Sequence, residues 1–112
     1  AGLIEASTSQ QQVLGFSALK GDFLSTEVEQ LTQKRNWQIT DQYCCGGYAK
    51  TTPELLQFIR TFEQQYDIPL EQIYTGKMLL GLTDLIQQGT FPKDHRILVI
   101  HSGGLQGRLA QL

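Results

Sequence analysis

An uninterrupted apolar run lies near the C-terminal end of the chain, at residues 97–100. It stops abruptly at His101, and Ser102, Gly103 and Gly104 follow. Such a run predicts a strand buried on both faces, as in parallel sheets with helices on either side. Ligands of these sheets bind outside the carboxyl ends of the strands. We therefore expect a ligand site at residues 101–104.

Two segments carry apolar residues at helical spacing. Thr52 and Pro53 give the first a strong start, with a hydroxyl cap and a proline at the first helical position. Its periodic residues are Leu55, Ile59, Phe62 and Tyr66. The second helix is predicted over residues 76–88 and is closed by Gly89. Its inward residues are expected to be Met78, Leu82, Leu85 and Ile86.

The first 40 residues alternate between strand and helix patterns. Residues 13–19 and 37–40 favour strands, and Ser25 between them is expected to cap a helix to about residue 35, with Val28 and Leu31 inward. This alternation is typical of α/β proteins. We predict one α/β domain over residues 1–112, with three layers: a mostly parallel sheet and helices flanking it.

Composition and charge exclude several classes of function. The net charge is −2 with 40% hydrophobic residues and no cluster of Lys or Arg, so neither nucleic acid nor a membrane surface is expected as a partner. The longest apolar run, about six residues, is far below the roughly 20 of a bilayer span. Cys44 and Cys45 are adjacent, which fits neither a disulfide framework nor a metal site. These features predict a cytoplasmic protein without a metal.

The chain opens inside a predicted helix, with no capping residue before Ala1. A helix whose first amides lack a cap is more often a cut end than a natural one. We therefore expect the chain to be part of a longer protein.

Residues 101–104 and two tyrosines are the main candidates for chemistry. The turn of Ser102, Gly103 and Gly104 offers a hydroxyl and backbone amides, which can bind an anion or a heteroaromatic nitrogen. Without a ligand it is a tight turn between a strand and a helix. Tyr48 and Tyr74 lie beside glycines, where a phenol can donate to a carboxylate or act as a general acid or base. The alternative is an amphipathic packing role.

Other polar residues have simpler interpretations. Lys77 opens a helix beside Tyr74, so a substrate or cofactor contact is conceivable, but a solvated lysine is the commoner arrangement. His95 is expected in an exposed turn, and His101 as a hydrogen-bonded structural residue at a strand end. Residues 43–48 have no periodicity and indicate a loop with unusual backbone angles, in which Cys44 is buried as a small apolar residue.

Three segments of this chain form a recognisable combination: Gly47-Tyr48 ahead of the Pro53 helix, Tyr74-Thr75-Gly76-Lys77-Met78 followed by residues 81–86, and residues 97–105. Their order and spacing resemble the 1-aminocyclopropane-1-carboxylate deaminase / D-cysteine desulfhydrase family, over nearly the whole chain. These are pyridoxal-phosphate enzymes of fold type II, the tryptophan-synthase-β type. Ala1-Gly2-Leu3 is similar to the helix that follows the family's cofactor-phosphate loop. The fold implied is the C-terminal part of the cofactor-binding domain.

The resemblance implies a role for individual residues. Ser102 matches the hydroxyl residue that bonds the pyridine nitrogen of pyridoxal phosphate, and Gly103 lies beside it in the cofactor site. Tyr48 and Tyr74 match the two tyrosines that face the substrate above the ring. None of the five lysines matches the family's Schiff-base lysine, which lies upstream, so the chain alone is expected to be inactive.

Thr75 distinguishes between the reactions of this family. It stands where the ring-opening deaminases carry a glutamate next to the pyridine nitrogen. A hydroxyl does not hold that nitrogen protonated as a carboxylate does. The resemblance therefore implies a homodimeric deaminase or lyase that acts on a small amino acid, by β-elimination more readily than by cyclopropane opening.

Two other functions stay open from the residues alone. The chain could be a phosphate-binding α/β domain of an unrelated enzyme, with Ser102 and the two glycines as an anion-binding turn. It could also be a structural segment without a ligand. A Gly/Thr-rich loop and a lysine motif upstream of Ala1 in the parent reading frame would favour the pyridoxal-phosphate enzyme.

Overall fold

The computed structural model describes residues 1–112 and alternates helices and strands before two longer helices. The elements are α1 (Gly2–Ala6), β1 (Val13–Phe16), α2 (Phe23–Leu31), β2 (Trp37–Thr40), α3 (Pro53–Tyr66), α4 (Thr75–Gln87) and a 3₁₀ turn (Leu105–Gly107). None of these helices has both the length and the apolar content needed to cross a bilayer.

The sheet consists of β1 and β2, which pair in parallel with Val13 opposite Trp37 and Phe16 opposite Thr40. Both strands occur where the sequence predicts them. Parallel neighbours need a crossover connection, and α2 provides it. The α/β class, with a parallel sheet and flanking helices, is confirmed.

The crossover helix α2 differs from its prediction. It begins at Phe23, so Ser25 lies inside the helix and does not cap it. The turn that precedes this helix is held by a residue later in the chain. The Gly21 amide donates a hydrogen bond to the Asp41 carboxylate at 2.9 Å. Leu31, predicted to point inward, is exposed, and α2 has no fully buried residue.

Helices α3 and α4 enclose the main core. The Thr52 hydroxyl accepts a hydrogen bond from the Leu55 amide at 3.1 Å, and Pro53 is the first helical residue, as predicted. The core cluster consists of Leu55, Ile59, Leu70 and Leu79. Burial of these side chains is the main stabilising contribution to this part of the fold.

Two glycines let α4 approach its neighbours on opposite sides. A Cβ at Gly76 would lie 2.5 Å from the Glu71 carbonyl oxygen and 2.6 Å from Cδ1 of Ile59 on α3. A Cβ at Gly81 would lie 2.6 Å from the Phe16 ring of β1. Helix α4 is therefore held between α3 and the sheet.

The end of α4 is more exposed than its periodicity suggests. Gly89 follows it with a φ of 75°, which confirms the predicted stop. The fully buried part of the helix ends at Leu82, so the last turn projects into solvent. The prediction that Ile86 points inward is therefore wrong, and half of its surface is exposed.

The predicted buried strand at residues 97–100 does not form. All four residues are exposed, Leu98 to 86%, and their backbone makes no hydrogen bond to other backbone groups. A strand buried on both faces needs paired neighbours and covering helices. The two-stranded sheet does not reach this segment, so it is extended and unpaired.

Candidate active site

The structure brings Tyr48 and Tyr74 together, although 26 residues separate them. Their hydroxyl oxygens are 2.9 Å apart, and the ring centroids are 6.0 Å apart in an edge-on arrangement. Each side chain is about half exposed, at 52% and 51%. The hydrogen bond with Tyr48 raises the pKa of the Tyr74 phenol above its ordinary value. The two hydroxyls thus form a hydrogen-bonded pair that faces solvent.

Glu71 fixes the backbone that carries Tyr74. This carboxylate is fully buried and accepts hydrogen bonds from the amides of Ile73 at 2.6 Å, Tyr74 at 2.8 Å and Thr75. It therefore satisfies the free amides at the start of α4 and places a negative charge at the positive end of the helix. The backbone amide of Tyr74 is thus held at the start of α4.

Thr75 is part of the same arrangement. Its hydroxyl accepts from the Glu71 amide and donates to the Glu71 carboxylate, both at 3.0 Å, and the residue is buried. The proton of this hydroxyl is therefore committed to Glu71. The cofactor contact expected for Thr75 stays a prediction, and in this conformation its hydroxyl could use only the remaining lone pair for such a contact.

Lys77 fixes the loop that carries Tyr48, here called the tyrosine loop (residues 43–48). The Lys77 ammonium donates to the carbonyl oxygens of Cys44 at 2.8 Å and Gly47 at 3.1 Å, and the residue is only 2% exposed. The expectation of a solvated lysine is wrong, because the side chain is enclosed between α4 and the loop. Gly81, one helical turn after Lys77 on the same face of α4, is a sign of this burial in the sequence. Glycine in a helix permits close approach of a neighbouring segment, here Tyr43 of the loop.

The first residue of the tyrosine loop is tied to α4 separately. The Tyr43 hydroxyl donates to the Asp84 carboxylate at 2.5 Å, and this bond raises the Tyr43 pKa. The loop itself contains left-handed residues at Cys45, Gly46 and Gly47, as its composition predicts. Cys44 is buried within it, which confirms the packing role expected for this cysteine.

Ser102 and Gly103 lie in an open turn. Ser102 is exposed, and its hydroxyl has no partner within the chain. The Gly103 amide donates to His101 Nδ1 at 3.1 Å, and His101 Nε2 lies 2.9 Å from the Pro69 carbonyl oxygen. His101 is therefore hydrogen-bonded at both nitrogens, as predicted, but it follows an unpaired segment and not a strand. His95 is exposed as expected.

The C-terminal residues attach this turn to the segment before α4. The Gln72 side chain donates to the Gly107 carbonyl oxygen at 2.7 Å and accepts from the Leu109 amide at 3.0 Å. A Cβ at Gly104 would lie 3.9 Å from Cγ of Glu71. The turn with Ser102 is thus adjacent to the buried carboxylate that organises Tyr74.

An ion pair holds the end of the chain against α3. Arg108 forms a two-pronged pair with Glu63, with one N–O distance of 2.8 Å, and also donates to the Leu70 carbonyl oxygen at 2.6 Å. The hydrogen bond from Arg108 lowers the pKa of Glu63. No local pattern predicts this pairing, because 45 residues separate the partners.

Comparison with known proteins supports the family resemblance. The chain is 42% identical over 65 residues to a protein of Pyrococcus horikoshii provisionally named 1-aminocyclopropane-1-carboxylate deaminase. It is 33% identical over 75 residues to a D-cysteine desulfhydrase of Klebsiella pneumoniae. These matches cover 58% and 67% of this chain but only 19% and 23% of the two relatives. No family model matches the chain.

The fold has a counterpart among solved structures. The crystal structure of a 1-aminocyclopropane-1-carboxylate deaminase homologue superposes with a TM-score of 0.70 and 28% identity, over 84% of this chain and 31% of that protein. The resemblance predicted from the sequence is confirmed: this chain is related to the deaminase and desulfhydrase proteins over most of its length. It spans about a fifth of the length of the curated relatives that it matches.

Proposed function

We propose that this chain supplies the substrate-facing side of a pyridoxal-phosphate enzyme that releases ammonia from a small amino acid. The observation that carries this proposal is the half-exposed, hydrogen-bonded pair of Tyr48 and Tyr74. The relationship to proteins named deaminase and desulfhydrase supports it. The family resemblance implies that a cofactor lysine and a phosphate-binding loop would come from outside these 112 residues.

The residues around Ser102 fit the ring of such a cofactor. The Ser102 hydroxyl has no partner in the chain, and no atom lies within 4 Å of a Cβ placed on Gly103. A hydroxyl in open space can accept or donate a hydrogen bond to a ring nitrogen. When bound, the cofactor would supply the electron sink that stabilises charge at the substrate Cα.

The tyrosine pair would orient and protonate the substrate. In a hydrogen bond between two phenols one hydroxyl donates, so the proton of the accepting hydroxyl remains free for a third group. We infer that this proton is donated to the substrate carboxylate or to a leaving group. The raised pKa of Tyr74, caused mainly by its hydrogen bond with Tyr48, favours the neutral phenol within the pair.

The expected reaction is β-elimination, and the relationship to a protein named D-cysteine desulfhydrase supports it. Thr75 is neutral and its proton is held by Glu71, and Ser102 is a hydroxyl, so neither supplies a carboxylate to a ring nitrogen. A weaker electron sink suits substrates with a good leaving group more than it suits cyclopropane opening.

The test uses the full-length protein that contains this sequence. We expect it to take up pyridoxal phosphate with a visible absorbance band, and to turn over D-cysteine and β-chloroalanine faster than 1-aminocyclopropane-1-carboxylate. Y48F and Y74F should each lower kcat by about 100-fold, the usual contribution of a positioned acid or base. Y66F is the matched control, because Tyr66 is similarly exposed but lies at the end of α3.

Two results would contradict the proposal. A well-folded full-length protein that never takes up the cofactor would exclude this class of enzyme and would leave the anion-binding turn as the better interpretation. Turnover of the cyclopropane substrate equal to that of D-cysteine would refute the preference inferred from Thr75.

The 112-residue chain alone should be inactive and should bind pyridoxal phosphate weakly. One hydrogen bond from Ser102 contributes roughly 1 kcal/mol, whereas micromolar binding requires about 8 kcal/mol. Titration of the cofactor against the isolated chain, with borohydride trapping to detect random lysine adducts, measures this directly. Tight stoichiometric binding without such adducts would show that the site is more complete than we infer.

A further inference from the structure

Lys77 is a buried cation that the proposed chemistry does not use. It is among the largest fully buried side chains of the chain, and its partners are two carbonyl oxygens rather than a carboxylate. Burying an ammonium group without a counter-ion is costly, so an apolar residue would serve better if this position only filled space. The polar contacts of Lys77 therefore indicate a role in fixing the loop.

The position of Lys77 links the backbones of the two tyrosines. It lies three residues after Tyr74 on the first turn of α4, and it binds the carbonyl oxygen of Gly47, the residue before Tyr48. One side chain thus connects the start of α4 to the end of the tyrosine loop.

The loop needs such a link because its own bonds are short-range. Within it, the Cys44 amide donates to Asp41 and the Gly47 amide donates to Cys44, both at 3.2 Å. Cys45 has a left-handed backbone, a conformation that is sparsely populated for a residue other than glycine and persists only when the surroundings hold it. The Tyr43 bond to Asp84 holds the beginning of the loop, and Lys77 holds the end that carries Tyr48.

We propose that Lys77 is a positioning residue that holds Tyr48 against Tyr74 by clamping the Cys44 and Gly47 carbonyls to α4. This inference deepens the function proposed above and rests on it for its catalytic meaning. The geometric statement itself concerns the chain without any cofactor, so it can be tested separately.

The first experiment compares K77M with K93M in the 112-residue chain. Methionine keeps most of the volume of Lys77 but removes the donors, and Lys93 is an exposed lysine in a turn.

With tyrosines labelled at the ζ carbon, NMR titration follows each phenol separately. We expect the raised pKa of Tyr74 to return to the ordinary tyrosine value of about 10 in K77M and to stay raised in K93M. A lower global stability alone would not change this pKa in the folded variant. An unchanged Tyr74 titration in folded K77M would overturn the proposal.

A second variant covers the case in which K77M does not fold. Y74F keeps Lys77 and removes the hydroxyl partner of Tyr48. If Lys77 holds the loop, the Tyr48 ring resonance and the hydrogen-exchange protection of the loop amides should be retained in Y74F. If the loop instead becomes mobile, the tyrosine contact holds it and Lys77 does not. Neither measurement needs the cofactor, so failure of the proposed enzymatic function would leave both results interpretable.

Discussion

The unit formed by α3, α4 and the tyrosine loop differs sharply from the apolar segment at residues 97–100. The first encloses a core of four buried residues, and its loop and helix start are held by Lys77 and Glu71. The second is richer in apolar residues per unit length, yet it is exposed and its backbone is unpaired. Apolar content alone therefore does not determine which region is ordered by packing.

The difference follows from where the partners of each element lie. Helices α3 and α4 are consecutive elements that pack on each other, and a helix satisfies its own backbone groups. A strand satisfies its backbone groups only through neighbours. Residues 97–100 have no neighbouring strand in this chain, so the same apolar side chains that would be buried in a larger sheet remain at the surface.

A leucine-to-alanine substitution gives the largest expected difference between the two regions, measured as loss of unfolding free energy. L55A removes a fully buried side chain and should lower the free energy of unfolding by about 3 kcal/mol, through lost burial and a residual cavity. L98A removes an exposed side chain and should change it by no more than about 0.5 kcal/mol. Urea denaturation of both variants measures this. A comparable loss in L98A would show that the segment is buried in solution, for example by self-association, and would remove the contrast.

Local signals in the sequence were sufficient for some of these features. The Thr52 cap and Pro53 predicted the start of α3, since both act through neighbouring residues, and the parallel strands followed from short apolar patterns. Their position beside glycines and the family resemblance both indicate Tyr48 and Tyr74 as site residues, and the structure brings the two together.

Other features depend on contacts between distant parts of the chain. The burial of Lys77 requires the carbonyl oxygens of a loop about 30 residues earlier, which no local pattern specifies. Glu71 looks like an ordinary helix-flanking acid in the sequence, and its role appears only when the amides of the next turn are in place. The segment at residues 97–100 has the pattern of a strand but lacks the partners that a strand requires.

A smaller effect tests how tightly the α3–α4 unit is packed. In G76A the new methyl group would lie 2.5 Å from a backbone oxygen and 2.6 Å from Ile59, so the helices must separate. We expect a loss of about 2 kcal/mol in unfolding free energy, typical of overpacking. G2A is the matched control in α1, where no atom lies within 4 Å of the new methyl group. Equal stabilities of G76A and G2A would mean that α3 and α4 separate readily, contrary to the contrast drawn above.

The smallest expected effect concerns the ion pair that anchors the residues after the apolar segment. Arg108 holds the folded pKa of Glu63 below its ordinary value, so this pair stabilises the fold fully at neutral pH. The contribution should start to fall below about pH 4.3, the ordinary glutamate pKa, and should be lost once the pH passes the lowered folded value. Because both side chains are partly exposed, it should amount to at most about 1 kcal/mol.

The pH dependence of Glu63 can be separated from general acid unfolding with two variants. E63Q should lower the unfolding free energy at pH 7 and reduce its decline on acidification, whereas E54Q, at an exposed position in the first turn of α3, should retain the decline. Hydrogen exchange at the Leu109 amide reports on the anchored tail itself, and its protection should fall with acid in the unsubstituted chain. If E63Q and the unsubstituted chain show the same pH profile, Arg108 is not what holds this tail, and the bonds from Gln72 and His101 must account for its attachment.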